Sequence, residues 1–440
     1  MPEVSADLRS ALQDGLRHRL RPMVGRDPDA RGRAATPVEL LYDLTYVLAF
    51  SAAAEQLAHR IGEGEVGPAI AAYLFALFAV TWAWLNFTWF ASAYGNDDAL
   101  FRVATIVQMV GVVVLIFGLP VSFASTAEGG SPNNLLLVSG YLVMRVPLIG
   151  LWLRAAREDP AHRRSAIAYA VVVAVAQAGW VLTVVVPAPV PVIVTALVVL
   201  ALAELAAPVV VERRLGRVPW NAGHIAERFA LVTLITLGEV IAATVAAVGA
   251  LVDEQGWSGA AVAIAASGLV LAAAFWWAYF LIPSRPVLER LPERTFAWRY
   301  AHLPMFGAIA AVGAGLRVAA AAVGEEAHLS LLAIALALAV PVALVVLAIF
   351  ATWSVLVRSA DPAHVPLLGL SLLPLVLAVL AAGLLGGDGP LELRSADDTA
   401  LLAAVVGLVA SSGVIEVIGH ERGGYRHTVQ ALERRGSRPA

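Results

Sequence analysis

The sequence predicts an all-α, polytopic integral membrane protein with about twelve transmembrane helices. The chain of 440 residues is 60% hydrophobic and only 14% charged, and its mean hydropathy is +0.78. A soluble domain carries about 25% charged residues. A chain this apolar cannot cover itself with polar surface, so we expect the lipid bilayer to be its main partner. The spacing of its apolar stretches and the distribution of its arginines point the same way.

Stretches of about 20 mostly apolar residues, the length that spans a bilayer, define the predicted helices. They cover residues 37–58, 68–90, 101–122, 135–156, 165–187, 190–211, 225–249, 259–282, 299–322, 329–355, 366–386 and 399–419. The fifth and sixth are separated only by Pro187, Ala188 and Pro189. We predict a tight hairpin there, because one merged helix would be far too long for a bilayer.

The arginines predict the orientation of the chain. All 30 basic residues are arginine, and the two tails and the even-numbered connections, counted together with the adjoining ends of the spans, hold 25 of them. The odd-numbered connections hold only Arg60 and Arg394, and three more lie within spans: Arg145, Arg228 and Arg317. Basic connections stay in the cytoplasm. We therefore expect a multi-pass protein of the cytoplasmic (inner) membrane with both termini in the cytoplasm.

The helices divide into two sets of six. Aromatic-rich spans, "TWAWLNFTWF" (81–90) and "AFWWAYF" (274–280), follow the first and the seventh helix. We expect two parallel six-helix halves, 35–217 and 218–420, with the working site between them. Tryptophan belts at the membrane interface would produce the same clusters without a duplication.

The two ends of the chain are polar. Residues 1–34 form an Arg-rich cytoplasmic segment without the apolar core of a signal peptide, and 421–440 form a cytoplasmic tail. Leucines recur every four residues in the first segment, at Leu8, Leu12, Leu16 and Leu20. This spacing is typical of an amphipathic helix on the membrane surface, and a disordered basic tail fits the same residues.

Charged residues in the first and seventh spans are the main candidates for function. A charge near the bilayer centre costs about 2.5–3.5 kcal/mol on insertion scales, so it usually has a partner or a task. In "TPVELLYDLTYVLAF", Glu39 and Asp43 share one helix face, beside Tyr42 and Tyr46. In "NAGHIAERFALVTLITLGEVIAAT", one side carries three more such residues: His224, Glu227 and Arg228. Because unpaired charges in an apolar bundle are costly, we expect the two faces to meet.

Glu239 is the strongest single candidate. It lies eleven residues after Arg228, which places it on the same face and about 16 Å deeper, near the middle of the membrane. We expect its carboxyl group to be neutral or paired with Arg228 or another cation.

Supporting residues are Arg145, Arg299 and His302. We expect Arg145, inside the fourth span, to pair with a buried carboxylate, and His302 to support the site from the start of the ninth span. The chain has no cysteine, which excludes disulfides, thiolate metal sites and cysteine nucleophiles. It also lacks a phosphate-binding glycine loop, a dinucleotide fingerprint, an HExxH metal motif and any nucleic-acid signature.

The two charged segments resemble those of the bacterial low temperature requirement A family. "NDDALFRVATIVQMV" (96–110) and "WRYAHLPMFGAIAAVG" (298–313) are also similar to family segments, so the resemblance covers roughly residues 33–320. It implies a polytopic bacterial membrane protein linked by name to growth in the cold, and it assigns no substrate or catalytic residue. Phe229 stands where a histidine is common in the family, which weakens a two-histidine metal site at the seventh helix.

Three functions compete on these observations. The leading hypothesis is a secondary transporter or ion-coupled permease for a small solute or ion, in which Glu39, Asp43 and Glu239 exchange protons. The second is a non-transporting scaffold or sensor in cold or stress adaptation, whose charges only lock helices together. The third is a membrane-embedded enzyme with a divalent metal near His224 and Glu227. We expect no cofactor and, on balance, no enzyme. The solute and the oligomeric state stay open.

Overall fold

The fold is a bundle of long helices in a computed structural model. The structure describes residues 20–433, except 31, 324–328, 360–363, 388, 390, 392–395, 425, 427 and 431–432. The described residues contain no strand and form twelve long helices. These are α1 (Pro37–Gly62), α2 (Val66–Tyr94), α3 (Ala99–Ala127), α4 (Leu135–Glu158), α5 (Arg163–Val185), α6 (Val190–Leu215), α7 (Ala222–Gln255), α8 (Gly259–Phe280), α9 (Thr295–Val323), α10 (Leu331–Val357), α11 (His364–Leu385) and α12 (Ala396–Gly419). The predicted all-α, polytopic class is confirmed.

Eleven of the described helices, α2 to α12, are long and apolar enough to cross a membrane. Helix α1 is 26 residues long but falls outside this set, since four charged residues interrupt its apolar sequence: Glu39, Asp43, Glu55 and Arg60. The first two are buried against neighbouring helices, whereas Leu44 and Leu48 on the opposite face are 51% and 60% exposed. Helix α1 therefore turns Glu39 and Asp43 into the bundle and these leucines outward, as expected of a helix surrounded partly by lipid.

Two connections show how well the chain's local signals predict its turns. The hairpin between α5 and α6 spans only residues 186–189, as predicted from its two prolines. The connection between α8 and α9 is more structured than expected, since it contains the short helix Ser284–Arg290 and the 3₁₀ turn Pro292–Arg294.

Small residues allow some helices to pack closely. A methyl group at Gly118 on α3 would lie 2.5 Å from the backbone nitrogen of Leu137 on α4, so the two backbones nearly touch there. Helices α9 and α10 make a similarly close contact at Gly315, against the carbonyl of Ala337.

Helix α1 contacts four other long helices: α2, α3, α7 and α9. The division into two parallel halves stays a prediction.

An extended segment crosses one end of the bundle. This N-terminal strap (residues 20–30 and 32–35) runs past the ends of α2 and α4 and the start of α7. The backbone nitrogen of Arg26 donates to the carbonyl of Ala93 over 3.0 Å, and that of Met23 donates to Glu158 over 2.5 Å. The leucine pattern at Leu8, Leu12 and Leu16 falls outside the described residues.

Candidate functional site

The first turns of α1 and α7 place their charged residues in the same register. Helix α1 begins with a capping box, in which the Thr36 side chain accepts from the backbone nitrogen of Glu39 and the Glu39 carboxylate accepts from that of Thr36. Helix α7 is capped by Asn221, which accepts from the backbone nitrogen of His224 over 2.8 Å. Glu39 and His224 each follow their cap by three residues.

The next charged residues also match in register. Asp43 and Arg228 each follow their cap by seven residues, one helix turn beyond Glu39 and His224. In both turns, an acidic residue of α1 therefore faces a basic residue of α7.

Asp43 and Arg228 form a buried two-pronged ion pair. Arg228 donates from Nε to Oδ2 of Asp43 over 3.0 Å and from Nη2 to Oδ1 over 2.5 Å. The indole nitrogen of Trp84 on α2 donates to the same carboxylate over 2.7 Å. Asp43 and Arg228 have no exposed surface. With three donors around one carboxylate, this pair is held in a single geometry.

Glu39 and His224 lie beside that pair with fewer contacts. Oε1 of Glu39 is 3.2 Å from Nη1 of Arg228 and 3.4 Å from Nε2 of His224. We call these four residues, Glu39, Asp43, His224 and Arg228, the α1–α7 network. The expectation that the charged faces of the first and seventh helices meet is confirmed.

Several polar atoms of the network are buried without a hydrogen bond. They are Oε1 of Glu39, both ring nitrogens of His224 and Nη1 of Arg228. Native proteins rarely leave buried polar atoms unpaired, and each one costs about 1–3 kcal/mol. The Asp43 side of the network is therefore filled, whereas the Glu39–His224 side keeps unused hydrogen-bonding capacity.

Tyr42 and Tyr46 extend the polar face of α1 toward α3 and α4. Their hydroxyl oxygens are 2.8 Å apart. The Tyr42 hydroxyl is also 3.4 Å from Oε1 of Gln108, and that of Tyr46 is 3.2 Å from the Met144 sulfur, so each hydroxyl proton has two possible acceptors. Both tyrosines are buried, so the hydroxyls form a polar line inside an otherwise apolar region.

Glu227 does not join the network. Its carboxylate accepts from the backbone nitrogen of Ala35 over 3.3 Å and lies 3.6 Å from the guanidinium of Arg285, and its side chain is 24% exposed. Although His224 and Glu227 are three residues apart, the Glu227 side chain turns toward the N-terminal strap and the short helix 284–290.

Glu239 pairs with a cation other than Arg228. Nη2 of Arg317 on α9 donates to Oε1 of Glu239 over 2.9 Å, while the Arg228 guanidinium is occupied by Asp43. The Arg317 side chain is 23% exposed. The expected pairing with a cation is thus met by a neighbouring helix and not by the same one.

The supporting residues occupy three separate places. Arg145 lies 3.3 Å from Glu204 on α6, which confirms that it pairs with a buried carboxylate. The Arg299 guanidinium lies 3.7 Å from the ring centre of Trp89 and 4.1 Å from that of Phe296. Arg299 is fully buried, and none of its guanidinium nitrogens has a hydrogen bond.

His302 makes hydrogen bonds to one residue of α8 and one residue of α9. Its ring nitrogens lie 2.9 Å from the carbonyl of Trp298 and 3.1 Å from the hydroxyl of Tyr279. It packs against Phe229 on α7, with ring centres 5.0 Å apart. It therefore touches α7 one residue beyond Arg228, through an aromatic contact and not through a charged one.

The residues near His224 do not make a good metal site. Within the part of the chain that the structure describes, no group of three or more His, Asp or Glu side chains could hold a metal ion. The carboxylate nearest to His224, that of Glu39, already lies against the Arg228 cation. A divalent cation usually needs four or more ligands, and a fixed guanidinium would oppose it.

Sequence reasoning missed Trp84 and Asn221, and it did not connect Glu204 with Arg145. Trp84 lies in the aromatic span "TWAWLNFTWF", but nothing in that pattern says which indole reaches Asp43. Glu204 is a lone carboxylate within an apolar span, the same signal that marked Arg145. Asn221 has the residue type and position of a helix cap, and its amide also donates to the carbonyls of Pro28 and Ala30 in the strap.

The strap lies across the end of the bundle where α7 begins, and it contacts the end of α2 and Asn221. Arg33 donates to the carbonyls of Ala91 and Ser92 over 2.7 and 2.5 Å. Burial lowers the pKa of Arg33 to about 10, which leaves it charged at neutral pH. A cavity of about 350 Å³ lies beside the strap, between Asp29, Arg217 and the first turn of α7. Gly223, the residue before His224, lines this cavity.

The profile of a family described as Bacterial low temperature requirement A protein (LtrA) matches residues 34–389. Because this match covers most of the chain, the protein belongs to that family. No curated protein and no solved structure matches the chain. The match includes both charged segments and reaches into the second half beyond the residues that carry the resemblance in the sequence.

Proposed function

We propose that this LtrA-family protein is a proton-coupled secondary transporter in which Glu39 and His224 exchange the proton. The observation that carries the proposal is the unequal filling of the α1–α7 network. Asp43 accepts three hydrogen bonds, whereas Oε1 of Glu39 and both nitrogens of His224 have none. A proton carrier must gain and lose a proton without dismantling its surroundings, and only the Glu39–His224 side has that freedom.

The Asp43–Arg228 pair has a different role in this proposal. Its geometry fixes α1 against α7 and keeps a positive charge 3.2 Å from Glu39. A nearby cation favours the ionised form of a carboxylate, and burial opposes it. Arg228 therefore offsets the cost of ionising Glu39 inside the bundle.

We further propose that the end bearing the strap faces the cytoplasm of the bacterial inner membrane. The strap contacts the connection between α2 and α3 and the start of α7, near the Arg-rich connections that the positive-inside rule keeps in the cytoplasm. The cavity of about 350 Å³ beside Gly223 would then form the cytoplasmic approach to His224.

A scaffold role is the second candidate. It is favoured by the bidentate contact of Arg228 with Asp43, which would lock two helices whether or not anything is transported. In that case the unpaired atoms of Glu39 and His224 would need only bound water. The two functions differ in what Glu39 must do, so one substitution separates them.

The test is solute-dependent proton movement in proteoliposomes that contain a pH-sensitive dye. Small organic acids, amines and inorganic ions are added singly, and the change of internal pH is recorded for the wild type and for Glu39→Gln. We expect at least one solute to move protons with the wild type, and Glu39→Gln to abolish that signal, since glutamine keeps the shape but cannot titrate.

The matched control is Glu63→Gln at the other end of α1, where the carboxylate is 43% exposed and contacts Arg60. It should transport like the wild type. If no solute in the panel moves protons, or if Glu39→Gln protein transports normally, the proposal is wrong and the scaffold role is favoured.

A further inference from the structure

A second buried acid–base pair lies between α4, α5 and α6. Nη2 of Arg145 is 3.3 Å from Oε2 of Glu204, and both residues are at least nine-tenths buried. The Tyr141 hydroxyl donates to the same oxygen over 2.9 Å, and the Trp180 indole nitrogen donates to Oε1 over 2.7 Å. Glu204 therefore holds its place through two neutral donors as well as through Arg145, so it can lose or gain a proton without losing every contact.

This pair also has unused hydrogen-bonding capacity. Nε and Nη1 of Arg145 are buried and have no hydrogen bond. Unpaired donors in a polar pocket of this kind are normally satisfied by bound water. The α1–α7 network shows the same combination of fixed contacts and unpaired polar atoms.

The buried tyrosines of α1 extend from the network toward α4, the helix that carries Arg145. Tyr42 is next to Asp43 in the chain and three residues from Glu39 on the same helix face. Its hydroxyl is 2.8 Å from that of Tyr46, which lies 3.2 Å from the sulfur of Met144, the residue before Arg145. A thioether is a weak acceptor, so the Tyr46 hydroxyl can turn to a better partner at little cost.

We infer that Arg145 and Glu204 form a second proton-exchange site, connected to Glu39 by the hydroxyls of Tyr42 and Tyr46 and by bound water. The inference rests on the proposed function and extends it with a route. A proton that leaves Glu39 adds to one oxygen of the line while that group releases its own proton to the next. At the end Glu39 is ionised, Glu204 is neutral, and each tyrosine again carries one proton.

The decisive variant is Tyr46→Phe, which removes one hydroxyl and keeps the ring. We expect solute-coupled proton flux in proteoliposomes to fall by a factor of about 10 or more, in the range that positioned proton transfer contributes. The solute concentration that gives half the maximal flux should not change, and the H₂O/D₂O rate ratio should rise. A purely structural role of the hydroxyl would not raise that ratio.

Tyr73→Phe is the matched control. Tyr73 is equally buried and donates over 2.6 Å to the carbonyl of Gly307, so this variant also loses one buried hydrogen bond, but away from the route. Its flux should stay within a factor of about 2 of the wild type, below the range expected for proton transfer. Glu204→Gln should reduce flux at least as much as Tyr46→Phe.

The failure of this inference differs from the failure of the proposed function. If Glu39→Gln abolishes coupled flux while Tyr46→Phe transports like Tyr73→Phe, the route is wrong and the transporter assignment stands. If Glu39→Gln transports normally, both are wrong. A flux loss in Tyr46→Phe with an unchanged H₂O/D₂O rate ratio would also overturn the route.

Discussion

Two buried ion pairs of this bundle look alike in the sequence and differ in the structure. Both join α7 to another helix, through Arg228 to Asp43 in one case and through Glu239 to Arg317 in the other. The first pair has no exposed surface and is bidentate, with further contacts from Trp84 and Glu39. The second is a single contact of 2.9 Å, and the Arg317 side chain is 23% exposed.

The difference teaches that depth along a membrane helix is not the same as burial. Glu239 lies near the middle of α7, and the sequence therefore predicts it to be the strongest single candidate for function. Asp43 lies only two turns from the start of α1, yet α2 and α7 cover it completely. Burial depends on how many helices surround a position, and a one-dimensional reading of depth does not contain that information.

Replacing the arginine of each pair should show the largest difference in stability between the two pairs. Arg228→Met leaves the carboxylates of Asp43 and Glu39 buried without their cation, so we expect a loss of about 3–5 kcal/mol in unfolding free energy. Arg317→Met should cost less, about 1–3 kcal/mol, because it leaves only the carboxylate of Glu239 without its partner. Reversible unfolding in detergent micelles measures both.

A double variant separates lost packing from an unpaired charge. If the buried charge causes the loss, Asp43→Asn should restore part of the stability of Arg228→Met, although Asp43→Asn alone should destabilise the wild type. Equal losses for Arg228→Met and Arg317→Met would show that the two pairs do not differ in the way that we describe.

Asn221 joins the start of α7, beside the α1–α7 network, to the N-terminal strap. Asn221→Ala removes the cap of α7 and both amide contacts to the strap, and we expect a loss of about 1 kcal/mol in unfolding free energy. Trypsin should then cleave faster after Arg26 and Arg33. Ser258→Ala is the control, because Ser258 caps α8 in the same way without touching the strap. Equal cleavage rates in the two variants would contradict a role of Asn221 in holding the strap.

Much of this fold was predictable, because apolar length and arginine distribution are strong signals in a membrane protein. The meeting of α1 and α7 was predictable as well, since Glu39, Asp43, His224 and Arg228 all need partners and carry opposite charges. The partner of Glu239 was not predictable, because it depends on the vertical offset between α7 and α9. The strap had no periodic pattern to reveal it, since its contacts run through single backbone atoms such as those of Met23 and Arg26.

We expect the smallest effect from Glu239→Gln. The amide oxygen of glutamine can still accept a hydrogen bond from Arg317, whose side chain is 23% exposed, so we expect unfolding free energy to change by about 1 kcal/mol. Since its carboxylate is matched by a dedicated cation, we also expect solute-coupled proton flux to persist, in contrast to Glu39→Gln. Thermal unfolding and the dye assay on the same preparation give both quantities. Abolished flux in well-folded Glu239→Gln protein would return the proton-carrying role to the deeper carboxylate. The unequal filling of the α1–α7 network would then reflect helix packing alone.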